Sequence, residues 1–383
     1  MRGGAVLSYI WTHRKAAIET ESRVAPAVYL DYAATAPIEA AAVRAMTAAV
    51  AGWANPSSVH APGRGAAAML EEARAAVADA LDCQPGAVIF TSGGTEAIGL
   101  ALAGAGAASL LVGATEHDAV RRQAAGAAVI PVDRSGVIDL AALDRLLAAA
   151  PAPALVAVMH ANNETGTVQP ITEVLARVRA AGGRLLVDGI QTAGKLPLPP
   201  GDFVAVSAHK LGGPPGTGAL VVRCLDRLAA TGSGQERGYR AGTENLPGIA
   251  GFAAALQARA ADAGWYARAT ALRDRLEAAL DGAEIVGGDA ARLGTISCIR
   301  MAGVPASTQV IALDLAGFAV SAGAACSSGK VRISHVLAAM GYGERAAGEA
   351  IRVSLGWRTT AAEIDAFATA WNALASRQRA KAA

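Results

Sequence analysis

Five polar clusters stand directly behind short apolar runs, and between them they hold the side chains that could do chemistry. They are Thr91-Ser92-Gly93-Gly94-Thr95-Glu96, Thr115-Glu116-His117, His160-Ala161-Asn162-Asn163-Glu164, Asp188 with Gln191, and Ser207-Ala208-His209-Lys210. Singly, each has a plain reading. The first is a capped helix start, His117 is a structural histidine, and Asp188 and Lys210 are halves of salt bridges. Jointly they form a set. Lys210 can make a Schiff base, Asp188 can keep a pyridine nitrogen protonated, and the Gly94-Thr95 turn at a helix start can take a phosphate on free N–H groups. Those are the parts that pyridoxal 5'-phosphate needs. A lysine in water has a pKa of about 10.4, and partial burial beside a pyridinium lowers it enough for work as nucleophile and base.

Cys326 stands apart from Cys83, Cys224 and Cys298. Its neighbourhood, Ser321-Ala322-Gly323-Ala324-Ala325-Cys326-Ser327-Ser328-Gly329, offers little to anchor it in a core, so it reads as a thiolate on a mobile loop. The other three have structural settings, Cys83 near a helix end and Cys224 and Cys298 at or near strands. No two cysteines have CxxC spacing, which argues against a zinc site, a redox motif or a disulfide framework and fits a reducing cytoplasm.

The apolar runs that position these clusters are Val88 to Phe90, Leu110 to Val112, Ala128 to Val132, Leu155 to Met159, Leu185 to Val187, Val204 to Val206 and Ala219 to Val222. They alternate with helical patterns and read as strands buried on both faces. An α/β domain with a mostly parallel seven-stranded sheet and covering helices follows. Ligands bind beyond the carboxyl ends of such strands, where the clusters lie. After Pro247 come long helices through Leu280, strands near Thr295 to Arg300 and Ile351 to Leu355, and a last helix from about Ala361. The expected organisation is a tail over 1–27, open to disorder, a large domain over 28–245 with 28–45 able to pack on the smaller one, and a small α+β domain over 246–383.

With 383 residues, 53% hydrophobic, 17% charged and a net charge of +2, the chain is globular and carries no electrostatic footprint for nucleic acid or an anionic membrane. The uncharged stretch between Glu96 and Glu116 reads as helix, turn and strand instead of a membrane span, since Gly99, Gly104, Gly106 and Gly113 interrupt it. In the early run Ala5 to Trp11 the charges follow instead of preceding, the wrong order for a secretory signal. Gly189 to Lys195 imitates a phosphate-binding GxxxxGK, but Leu196 stands where a magnesium-binding hydroxyl is needed and prolines block the helix. Gly104-Ala105-Gly106 precedes a strand and is a turn.

The chain resembles the NifS/IscS-like cysteine desulfurases, within the class-V aminotransferase group of fold-type I pyridoxal-phosphate enzymes. The resemblance runs from Tyr29-Leu30-Asp31-Tyr32-Ala33-Ala34-Thr35 to the last helix. It rests on the five clusters above together with Asn162 to Gly166, Val187 to Gln191, Arg240-Ala241-Gly242-Thr243, Cys326 to Lys330 and Ile351 to Gly356. It implies that Lys210 bears the cofactor, Asp188 pairs with the ring nitrogen, Gln191 contacts the ring hydroxyl and His117 stacks on the ring. Gly94, Thr95, Ser207 and His209 would bind the phosphate, with Thr243 reaching over from a second subunit of a homodimer. Asn163 and Arg352 would orient the substrate at the cofactor.

The implied reaction takes L-cysteine to L-alanine, with Lys210 moving the α-proton and His117 assisting as acid/base. Sulfur would be held as a persulfide on Cys326 for an acceptor protein, an iron-sulfur scaffold or a thiolation protein. Three departures are visible: Ala36 replaces the expected second threonine of the first motif, Gly189 follows Asp188, and the chain stops soon after its last helix. The last leaves the acceptor open. The motif's usual place near the N-terminus also puts the expected start downstream of Met1. A selenocysteine lyase or an aminotransferase would use the same cofactor with less need of Cys326. A non-catalytic sulfur carrier or cofactor-binding regulator would not need Lys210, Asp188, His117 and Cys326 together.

Overall fold

The computed structural model describes residues 28–232, 234–323 and 333–382. The expected tail over 1–27 and Cys326 lie outside the described residues. The large sheet has seven strands: β2 (Val88–Thr91), β3 (Ser109–Gly113), β4 (Ala128–Ile130), β5 (Ala154–Met159), β6 (Arg184–Asp188), β7 (Phe203–Ser207) and β8 (Gly218–Val222), in the order β2-β8-β7-β6-β5-β3-β4. Only β8 runs against its neighbours. Each expected apolar run is one of these strands.

Side chains alternate between two buried faces. Leu185 and Val187 of β6, with Val204 and Val206 of β7, join the core under helices α1 (Ala40–Ala51), α2 (Ala61–Ala80) and α7 (Leu246–Ala261). Leu186, Phe203 and Ala205 face a second core with Ala97, Ile98 and Ala101 of α3 (Gly94–Gly104). Burying one such Val, Leu or Phe contributes about 1.5–3 kcal/mol. The stretch between Glu96 and Glu116 is α3, a turn and β3, and no helix among the described residues is long and apolar enough to cross a membrane. The remaining helices of this layer are α4 (Asp118–Arg121), α5 (Leu140–Ala149) and α6 (Ile171–Ala180).

A second layer is built on the antiparallel sheet β12-β13-β10-β9, comprising Ser321–Ala322, Ala350–Ser354, Ile296–Arg300 and Glu284–Ile285. Helices α8 (Trp265–Ala278), α9 (Ala306–Leu315) and α12 (Ala361–Ala382) cover it, with Ile351, Val353, Phe367 and Trp371 in its core. Strand β1 (Val28–Tyr29) pairs with β11 (Phe318–Ala319), and Leu30 enters this core, so the chain's first described residues belong with its last. Two short helices, α10 (His335–Ala339) and α11 (Glu344–Ala347), complete it.

The boundary expected near residue 245 falls at the start of α7. Ile249, Phe252 and Leu256 of α7 are buried in the core of the large layer, and the chain returns to the core of the second layer, which Leu30 has already entered, with α8. The change of pattern at Pro247 marks a helix start, where proline is tolerated and the Asn245 side chain accepts the Gly248 N–H at 3.2 Å. It does not mark a change of layer.

Candidate active site

The first wall of the site is the end of β2. Gly93 has φ +149°, a conformation that favours glycine, and a Cβ on Gly94 would lie 2.1 Å from Cδ1 of Ile190. Glycine is thus favoured at 93 by its conformation, and at 94 a side chain would have to displace Ile190. Glu96 fixes this turn, since one carboxylate oxygen accepts the Ser92 N–H at 2.5 Å and the other accepts from Arg240 Nε at 2.9 Å. Burial opposes ionisation of Glu96, but these donors outweigh it and hold its pKa below the usual value.

The register of the central strands sets the next residues side by side. Met159 pairs with Asp188, and Asp188 with Ala205, so the carboxyl ends of β5, β6 and β7 meet at one place. Burial pushes the Asp188 carboxyl up to about 6, against the Ile190 N–H at 2.9 Å and the charge of Lys210. Gln191 donates from Nε2 to the Ala33 carbonyl at 3.0 Å, while its Oε1 is buried with no partner among the described residues. Lys210, in the single turn after β7, donates to the carbonyls of Ala33 at 2.8 Å and Ala34 at 2.7 Å.

Two histidines lie at this end as neutral rings. His117 caps α4, its Nδ1 accepting from the Ala119 N–H at 3.1 Å, which leaves the ring proton on Nε2. Burial first, and the charge of Lys210 second, lower its pKa. The same two causes bring His209 down to about 4, with Nδ1 at 3.2 Å from the Thr35 hydroxyl.

Arg352 comes from β13 of the second layer. It donates to the Asn163 carbonyl at 3.0 Å and to Asp31 Oδ1 at 2.7 Å, while Asp31 Oδ2 accepts from Ser321 Oγ at 2.7 Å. Its Nε is buried without a partner among the described residues.

These residues enclose one cavity of about 600 Å³, a size usual for small-molecule sites. Gly94, Thr95, His117, Asn163, Asp188, Gln191, Ser207, His209, Lys210 and Arg352 all line it. Thr243 does not: it is exposed, away from the cavity of its own chain. Sequence reasoning gave no role to several residues found here. The carbonyls of Ala33 and Ala34 and the carboxylate of Asp31 belong to a quoted motif, but a backbone acceptor leaves no side-chain signal. Arg122 and Gln123 also line the cavity. Glu116 is a buried acid whose carboxyl burial pushes well up, with Oε1 accepting the Met159 N–H at 2.8 Å. Glu164, also buried, is pushed up in the same way.

The aminotransferase class-V family model matches residues 28–367. A cysteine desulfurase of Cereibacter sphaeroides is 39% identical over 363 residues, covering 88% of this chain and 93% of its own. The chain belongs to the NifS/IscS-like branch of the class-V aminotransferase family. The fold agrees with this membership: a NifS-like protein from Rickettsia africae ESF-5 superposes with a TM-score of 0.83 at 31% identity, covering 91% of this chain and 99% of that one. A structure of SspA in complex with cysteine has a TM-score of 0.75 at 28% identity, over 87% of this chain and 100% of that one. The family is one of pyridoxal-phosphate enzymes, and the cavity stands where its fold places ligands, beyond the carboxyl ends of the parallel strands.

Proposed function

We propose that this protein is a cysteine desulfurase that converts L-cysteine to L-alanine and holds the sulfur as a persulfide on Cys326. The observation that carries the reading is the convergence of Lys210, Asp188, His117 and Arg352 on one cavity. Pyridoxal 5'-phosphate fits that cavity on three grounds. The Gln191 Oε1, partnerless among the described residues, suits a donor such as a ring hydroxyl, the buried Asp188 carboxyl suits a cationic ring N–H that would favour its ionised form, and the start of α3 with Gly94 and Thr95 suits a phosphate. Lys210 would hold the cofactor's carbonyl carbon, Asp188 its ring nitrogen, His117 its ring face, and Thr95, Ser207 and His209 its phosphate. When bound, the cofactor supplies an electron sink for the substrate's α-carbon.

The protein's own groups do the rest. Arg352 and Asn163 orient the amino-acid carboxylate, and Lys210 Nζ takes and returns the α-proton. The neutral His117 ring exchanges a single proton at Nε2. Cys326 Sγ attacks the substrate sulfur: a sulfur–sulfur bond forms, the carbon–sulfur bond breaks with its electron pair left on carbon, and protonation there gives alanine. The sum is L-cysteine plus a thiol giving L-alanine plus a persulfide, so no external oxidant enters.

An acceptor protein, either an iron-sulfur scaffold or a thiolation protein, takes the sulfur. A homodimer is supported by the position of Thr243 and by an apolar face, exposed among the described residues, on α1 and the segment after it, where Val50 is 62%, Trp53 83% and Val59 88% exposed. The unpaired thiols Cys83, Cys224 and Cys298 support a reducing cytoplasmic setting.

The test measures alanine release from L-cysteine by the cofactor-loaded protein and by Cys326→Ala, after the cofactor absorbance of both is verified. Wild type is expected to make alanine and the variant to keep the absorbance without making it. Cofactor-bound but inactive protein in both preparations would sink the reading and turn the search to selenocysteine and amino-group acceptors.

A further inference from the structure

Arg259 of α7 has no part in the mechanism above, yet it joins the two layers. Its side chain is 6% exposed, and Nη2 donates to Glu39 Oε1 at 2.5 Å. The guanidinium carbon stands 3.9 Å from the centre of the Trp357 ring, with the Trp265 ring of α8 at 5.6 Å. Nε and Nη1 have no hydrogen-bond partner among the described residues, so an ion pair and an aromatic face hold this buried cation. A cation taken out of water is attracted to an indole face by the ring's quadrupole.

Each of its two partners leads to one wall of the cavity. Glu39 stands at the start of α1, and its N–H donates to the Gly212 carbonyl at 2.8 Å, while the Ala36 N–H donates to that of His209 at 2.7 Å. Those bonds bracket Lys210, whose Nζ turns back to the carbonyls of Ala33 and Ala34. Trp357 follows β13, the strand of Arg352. The start of the chain closes the circuit, since Asp31 accepts from Arg352 and the Ala33 N–H donates to Ser354 Oγ at 2.9 Å. Contacts thus run from the strand of Arg352 through Trp357, Arg259, Glu39 and Gly212 to the turn of Lys210, and back through Ala33.

We propose that Arg259 is a positioning residue: by tying Glu39 to Trp357 it fixes the separation of Lys210 and Arg352, and with it the fit of an α-amino acid held by its nitrogen at one and its carboxylate at the other. The proposal rests on the reading of Lys210 as the cofactor's anchor and Arg352 as the carboxylate's. The span from nitrogen to carboxylate in an α-amino acid is short and stiff, and a misplacement of about 1 Å costs about 100-fold in rate. A plain amine reaches one end only and does not sense the separation.

The cofactor-loaded full chain, Arg259→Ala, Arg259→Lys and Arg352→Lys are titrated with L-alanine and with ethylamine, which is alanine without its carboxylate, and the change in cofactor absorbance is read. The ratio of the two dissociation constants compares the second wall with the first, and it does not depend on how much of a preparation is folded. Arg259→Ala should weaken L-alanine about 10-fold with ethylamine and cofactor retention unchanged. Exchange of the L-alanine α-hydrogen in D2O should fall about 100-fold. Arg259→Lys keeps a cation beside Glu39 but offers no plane to Trp357. It should shift the ratio severalfold in the same direction, and it carries the test if the alanine variant does not fold.

A ratio lowered in Arg352→Lys but at the wild-type value in the Arg259 variants overturns the proposal. So does a parallel loss of ethylamine binding or of cofactor, which would make Arg259 a support of the Lys210 wall alone. A wild-type ratio in Arg352→Lys removes the carboxylate role of Arg352, and the proposal falls with that reading.

Discussion

Asp188 and Ser207 end strands buried on both faces of the large sheet and Lys210 stands in the turn that follows one of them, whereas Arg352 reaches the cavity from a small antiparallel sheet and is steered by Asp31 and the Asn163 carbonyl. The first wall is set by ladder register and apolar burial, distributed over many side chains. The second is set by a few polar contacts, each resting on one or two atoms. A distributed wall can carry an unfavourable group, and Asp188, pushed up to about 6 by burial, is such a group. A wall set by single contacts should instead respond sharply to one substitution.

The largest effect is expected from Asp188 in the cofactor-free protein. Its carboxyl titrates near 3.9 when unfolded and at about 6 when folded, so folding is favoured while the group is protonated. That contribution is fully present below about pH 4 and lost as pH rises through 6, a difference of about 3 kcal/mol. Asp188→Asn, neutral throughout, should therefore match wild type in urea unfolding at pH 4 and exceed it at pH 8. Stability curves that run parallel across this range would break the idea that the sheet wall carries the cost. Adding pyridoxal 5'-phosphate should favour wild type again, because a ring N–H then partners the carboxylate.

On the second wall, Arg352→Lys tests dependence on single contacts. Two Nη groups reach two acceptors, and an ammonium cannot serve both and a substrate carboxylate as a planar fork does. Loss of one hydrogen bond to a charged group is worth about 1.5–3 kcal/mol, so kcat/KM for L-cysteine should fall about 10- to 100-fold, mainly through KM. An unchanged kcat/KM would remove Arg352 from substrate binding and leave it a purely structural link to Asp31.

The same contrast explains what could be read in the sequence. The sheet was legible because strands without a solvent face leave continuous apolar runs, and the polar residue after each run falls at a carboxyl end. The second layer was less so. Helix α9 escaped because Gln309 interrupts its apolar pattern, although Gln309 is fully buried and donates to the carbonyls of Val304 and Glu349. Glu164 stood inside a recognised motif without a role, since its partner Ser334 is 170 residues away. Pro247 suggested a boundary because a helix start and a layer change look alike until Phe252 is seen in the first core.

The smallest effect sharpens the contrast from the side of the distributed wall. Asp139 caps α5, accepting the N–H groups of Ala141 and Ala142 at 2.9 Å each, and α5 sets Leu143 and Leu147 into the core beneath the sheet. Losing a cap costs about 1 kcal/mol, so Asp139→Ala should lower stability by that amount in urea unfolding. Alanine formation should not change, because Asp188 is placed by its pairing with Met159 and Ala205 and by the burial of Val187 and Val204, none of which depends on the first turn of α5. A fall in kcat/KM in proportion to the lost stability would mean that the sheet wall also depends on individual contacts, and the distinction between the two walls would then disappear.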